Sequence, residues 1–145
     1  SAASDVYKRQ SLMQATMAAA PNLRAARDLT RGGLASALNE MAEVAQLTIE
    51  IDESRLPIRA EVRGMCEILG LDPLYLANEG TLVLFVPESE ADAALAAMRG
   101  HEAGRDALII GAARNKGPIP VTMKTAFGGL RVVDMLVGEQ LPRIC

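Results

Sequence analysis

At 145 residues, half of them apolar, the chain is long enough for one domain with a sizeable core, and its net charge of −3 gives no sign of the basic surface that nucleic-acid binding needs. With no Trp, two Phe and two Tyr, that core must rely on Leu, Ile, Val, Met and Ala, and aromatic platforms for stacking bases are missing. No apolar run approaches the ~20 residues that span a bilayer, and no secretory leader is evident, so the cytoplasm is the expected compartment. Two Cys without Cys-x-x-Cys spacing form neither a disulfide framework nor a zinc site, and one His, His101, cannot assemble a His-based metal centre.

Residues 1–10 do not begin with Met and do not join the pattern that follows. They read as a non-native or sequence-assembly segment and are set aside from the fold. Ser11 to Ala20, rich in Ala, Met and Leu, predicts a helix closed by Pro21 and Asn22. The segment Arg27-Asp28-Leu29-Thr30-Arg31-Gly32-Gly33-Leu34 is a polar turn leading into a helix with Leu34, Ala37, Leu38, Met41 and Ala45 at helical spacing. Two readings stand for it. Asp28 or Thr30 caps the helix, or the glycines and the free N–H groups at the helix start receive a phosphate.

Leu47, Ile49 and Ile51 alternate with Thr48, Glu50 and Asp52, which predicts a strand with one wet face. Pro57 opens a helix whose stripe is Ile58, Val62, Met65, Cys66 and Leu69, ended by Gly70; Cys66 is therefore expected in the core. Thr81 to Val86 reads as a central buried strand, entered through a turn in which Asn78 and Gly80 fix Glu79. Glu79 is either an ordinary turn residue or, beside a buried sheet, a carboxylate able to act as a base. Glu88 to Arg99 predicts a helix stopped by Gly100, and His101 falls in a solvated loop. Ala107 to Gly111 predicts a strand. Beyond a turn at Lys116-Gly117-Pro118, Val121 and Met123 predict another, with Thr122 and Lys124 facing out. Gly128-Gly129 turns the chain as a hairpin into Leu130 to Val133, and no helix follows it as a phosphate loop would require.

The chain ends in Gly138-Glu139-Gln140-Leu141-Pro142-Arg143-Ile144-Cys145. Gly138 and Pro142 disfavour helix and strand, so residues 138–145 read as a mobile tether with a thiol at its end. Arg143 favours the thiolate and the terminal carboxylate opposes it, so activation must come from a site that receives the tail. The position of Cys145 excludes a prenylation signal. On spacing alone, an unused tail and an intermolecular disulfide remain open and together outweigh a carrier thiol.

This ending resembles the C-terminus of the hydrogenase maturation family HypE. So do two internal strings. LGLDPLYLANEG is similar to the family's LGLDPLYVANEG, and RDLTRGGL is similar to its Asp-Pro-Thr-Arg-Gly-Gly-Leu, with Leu29 where the family has Pro. The resemblance runs from about Leu12 to Cys145 and implies the C-terminal domain of the PurM-like, aminoimidazole-ribonucleotide-synthetase fold, with the ATP-binding half absent. It agrees with the order of elements, which argues an α+β sandwich of helices on a mixed sheet over residues 11–137.

It further implies an ATP-dependent carbamoyl dehydratase. Cys145 bears a carbamoyl group supplied by HypF, and Glu79 helps deprotonate it. Pro142, Arg143 and Ile144 are read as tail recognition, Asn78 and Gly80 as the turn that positions the base. Asp28, Thr30, Arg31, Gly32 and Gly33 lie toward the phosphates of ATP, with Mg as its companion and no protein metal site. The thiocyanate formed delivers cyanide to the HypC–HypD complex for a [NiFe] hydrogenase, and the full-length protein is expected to be a homodimer. Two other classes remain: a small-molecule synthetase or kinase of the same superfamily, and a non-catalytic interaction module that uses the tail as a docking peptide.

Overall fold

The computed structural model describes residues 2–77 and 81–135, of which 2–7 are described by backbone alone. The chain forms two compact units. One comprises the described residues of Ser1–Asp28 and Glu79–Ile109, the other those of Leu29–Asn78 and Ile110–Cys145.

The first unit holds α1 (Ala2–Ala19), β1 (Ala25–Asp28), β3 (Leu82–Phe85) and α4 (Glu88–Arg99). The helix expected from Ser11 to Ala20 starts at Ala2, since residues 2–10 contain neither Gly nor Pro to stop it. It packs on α4; Leu12 and Thr16 on α1, Ala20 just beyond its end, and Ala94 on α4 are buried. The Thr16 hydroxyl is satisfied by donating to the Leu12 carbonyl one turn back, at 2.8 Å. β3 is not a central strand. Among the described residues it pairs antiparallel with β1 alone in a two-stranded sheet, Asp28 opposite Leu82, and only Val83 of its residues is buried. An apolar run shows that a strand is sticky, not how many neighbours it has. His101 caps the short 3-10 turn Glu102–Gly104, its Nδ1 accepting from the Ala103 N–H at 3.1 Å and its Nε2 lying 3.2 Å from the Ser11 hydroxyl.

The second unit holds α2 (Gly33–Ala45), β2 (Leu47–Asp52), α3 (Ala60–Leu69), β4 (Gly111–Asn115), β5 (Val121–Lys124) and β6 (Leu130–Val132). The strands form a mixed sheet in the order β4-β2-β5-β6, with β2 parallel to β5 and the other pairs antiparallel. β2 puts Ile49 and Ile51 inward as its alternation predicts, and α2 covers β2 and β5 with Ala35, Leu38 and Ala42. These residues, with Val121, Met123 and Val133, are the core of the unit.

Three expectations are corrected here. The strand predicted from Ala107 to Gly111 begins at Gly111, where pairing with β2 starts opposite Ile51. Thr122 faces inward, at 7% exposure, because all of β5 but Lys124 is covered; in a strand flanked by two others, alternation alone does not choose the wet face. In α3 only Cys66 of the predicted stripe is buried, while Val62, Met65 and Leu69 are exposed. The helix does end at Gly70, in the left-handed conformation, and the glycine pair at 128–129 does form a hairpin, joining β5 to β6.

Candidate functional site

The polar loop before α2 departs from the capping reading of its sequence. Neither Asp28 nor Thr30 caps the helix: the N-cap is Gly32, left-handed at φ 85°, and among the described residues no side-chain cap is made there. Asp28, at the end of β1, accepts from the Arg9 guanidinium at 3.1 Å. The Thr30 carbonyl accepts from the Gly33 N–H at 2.9 Å, closing the turn, and the Thr30 and Arg31 side chains are exposed. The first N–H groups of α2 are therefore left without a side-chain cap, at the positive end of the helix dipole and beside a guanidinium one residue before the N-cap. That chemistry fits an anionic phosphate. Asp28 belongs to the first compact unit, Thr30 to Gly33 to the second.

Gly33 is fixed here by two constraints. Its φ is +62°, and a Cβ at this position would lie 2.4 Å from the Leu76 carbonyl oxygen and 2.7 Å from that of Leu74. The start of α2 is thereby seated against the 3-10 turn Pro73–Tyr75, which leads toward residues 78–80. Asn78, Glu79 and Gly80 lie outside the described residues, as do Pro142, Arg143, Ile144 and Cys145.

Sequence reasoning missed the side chains that hold this turn. Asp72 caps it, one carboxylate oxygen accepting from the Leu74 N–H at 3.0 Å and the other from the Arg131 guanidinium. That bond from Asp72 stabilises the charged guanidinium and raises the pKa of Arg131 further. The Tyr75 hydroxyl donates to the Asp134 carbonyl at 2.7 Å, and burial, above all, raises the pKa of its phenol. Asn39, buried on α2, donates to the Ala35 and Val133 carbonyls at 2.8 and 2.9 Å. A polar residue beside Leu38 on the covered face of α2 was the one available signal. Asp72 and Arg131 also line a cleft of about 310 Å³, together with Leu56, Arg63, Leu74 and Met123.

Residues 1–124 match the family described as AIR synthase related protein, C-terminal domain. The chain belongs to this family. Its resemblance to HypE is borne out: it is 66% identical over 134 residues to the carbamoyl dehydratase HypE of Rhodobacter capsulatus, covering 92% of this chain and 39% of that protein. Among solved structures, a HypE–HypF complex is similar at TM-score 0.81 and 39% identity over 87% of this chain and 41% of that one. A hydrogenase maturation protein HypE in complex with ATP is similar at TM-score 0.78 and 47% identity, over 86% of this chain and 38% of that one. The chain thus spans about two fifths of the length of these relatives. The sandwich with a mixed sheet inferred from the order of elements agrees with these structures.

Proposed function

We propose that the chain is the C-terminal part of a carbamoyl dehydratase that builds the cyanide ligands of a [NiFe] hydrogenase. The observation that carries this reading is the 66% identity to a carbamoyl dehydratase HypE over 92% of the chain. In this reading Cys145 is the carrier: its sulfur bears a carbamoyl group from HypF, and loss of water converts the S-bound –C(=O)NH2 into –C≡N. The carboxylate of Glu79 accepts a proton from the nitrogen, and Asn78 and Gly80 hold the turn that presents it. Pro142, Arg143 and Ile144 present the sulfur to partners. The buried Cys66 thiol leaves the carrier role to Cys145.

ATP supplies the phosphoryl group that makes the departing carbamoyl oxygen a competent leaving group. Of this chain, the N–H groups of α2 that follow Gly32 and Gly33, from Leu34 on, the Thr30 hydroxyl and the Arg31 guanidinium would face its phosphates, supported by the uncapped start of α2; the Gly33 N–H itself is taken by the Thr30 carbonyl. Asp28 lies on the sequence path to them, and Mg would accompany the nucleotide. HypC–HypD is the acceptor of the cyanide, the cytoplasm the compartment, and a homodimer the full-length assembly.

Peptide mass spectrometry after incubation with HypF, carbamoyl phosphate and ATP tests this reading. A carbamoyl adduct on Cys145 and none on Cys66 is expected, and a Cys145→Ser variant should take none. A folded chain without any adduct, beside a HypE relative labelled in parallel, would instead favour the interaction module that uses the tail as a docking peptide.

A further inference from the structure

The cleft of about 310 Å³ lies wholly within the second unit, and its charged side chains are in unequal use. Leu56, Leu74 and Met123, all buried, give it an apolar lining beside Glu53, Arg63, Asp72 and Arg131. Three of these four are committed by hydrogen bonds. Asp72 caps the Pro73–Tyr75 turn and accepts from Arg131, and Glu53 accepts from the Ala126 N–H at 3.0 Å. Arg63 differs. Helical spacing puts it on the side of α3 that carries buried Cys66 and leads to Gly70, so its side chain reaches the cleft while remaining 45% exposed. Its Nη1 lies 4.0 Å from Glu53 Oε1, an ion pair too long to be a hydrogen bond. Among the described residues the Arg63 guanidinium makes no hydrogen bond.

We propose that this cleft binds a small aliphatic monocarboxylate, with Arg63 taking the carboxylate and Leu56, Leu74 and Met123 meeting the hydrocarbon. The class of ligand follows from the lining. A guanidinium whose donors are unused matches the two oxygens of a carboxylate. The charge is single because Glu53 and Asp72 already line the cleft and repel a dianion such as phosphate. The body is apolar because the surface it meets is three covered hydrophobic side chains, and short because the volume stands at the low end for small-molecule pockets. Glu53 is the internal competitor: its carboxylate is the one that the ligand displaces from Arg63, and its own bond to the Ala126 N–H keeps it in place when that happens. The site uses none of the groups assigned above to the carbamoyl or phosphate chemistry.

The test titrates 4-methylpentanoate into the 145-residue chain and follows the methyl signals of Leu56, Leu74 and Met123 by NMR. Saturable shifts with a Kd of roughly 1–10 mM are expected for so small a ligand. The uncharged 4-methylpentanamide, which keeps the body, and inorganic phosphate, which lacks it, should each bind about tenfold more weakly or worse. Arg63→Gln should weaken 4-methylpentanoate by about tenfold, as loss of a charge-assisted hydrogen bond gives. Glu53→Gln keeps an acceptor for the Ala126 N–H and removes the competing charge, so it should tighten binding by about threefold, a gain that damage to the fold does not produce. Gly-Gly-Leu, a polypeptide end with the same groups, should bind no better than the free acid; tighter binding would overturn the small-molecule assignment. The site itself is overturned by methyl signals that do not move in saturable fashion up to about 50 mM ligand, by equal binding of the amide, or by unchanged affinity in both variants.

Discussion

Glycine 33 and tyrosine 75 show how much of this site rests on single residues. At Gly33 a Cβ would meet two carbonyl oxygens at a φ of +62°, so Gly33→Ala is expected to destabilise the chain by about 2 kcal/mol or more, measured as a lower urea midpoint with unchanged slope. Gly64, inside α3 with open space around it, is the control: Gly64→Ala should stabilise by about 0.5–1 kcal/mol. At Tyr75 the folded-state pKa lies above the ordinary value of 10.0, so the fold favours the neutral phenol. Its contribution is complete below about pH 10 and is lost as pH rises through the raised value. Melting temperature plotted against pH should therefore fall less steeply above pH 10 in Tyr75→Phe than in wild type. The glycines were legible because a Gly pair before a helical pattern is a local signal. The Tyr75 bond was not, since a hydroxyl meeting a carbonyl 59 positions away leaves no trace in spacing.

Helices α2 and α3 carry similar apolar stripes in sequence and opposite burdens in structure. Leu38, in the stripe of α2, is 1% exposed over β2 and β5, whereas Leu69, in the stripe of α3, is 61% exposed and its neighbour Ile68, outside the stripe, 85%. Leu38→Ala should therefore cost about 2–5 kcal/mol and Ile68→Ala less than about 0.5 kcal/mol, compared by urea denaturation of the two variants. Periodicity found both helices, and Gly70 found the end of one, because these are local properties of a backbone with a 3.6-residue turn. Which stripe is covered depends on partners remote in sequence. The same limit explains β3, read as central from its apolar run but paired, among the described residues, only with β1, and β5, where Thr122 looked outward by alternation and is enclosed. Local rules identify an element; its neighbours decide its faces.

At the scale of the whole chain, what it offers a nucleotide is unequal to what it offers a carbamoyl group. The groups suited to phosphates are backbone N–H groups at the start of one helix, the Thr30 hydroxyl and the Arg31 guanidinium, which together answer only part of a triphosphate's charge. The proposed carrier, by contrast, is a single thiol that needs only a donor. The two steps should therefore separate in this chain, which spans about two fifths of its relatives' length. HypF and carbamoyl phosphate should place a carbamoyl group on Cys145, and ATP should then leave the mass of the Cys145 peptide unchanged. Adding the remaining part of a HypE relative should restore the loss of one water from that peptide. Loss of water in the isolated chain would mean that it binds and uses ATP by itself, and would move the nucleotide site wholly onto the loop before α2 and its neighbours. Persistence of the carbamoyl group even after the remaining part is supplied, with that part active on its own C-terminal domain, would point instead to the Leu29 substitution in this loop, where Leu29→Pro becomes the variant to measure.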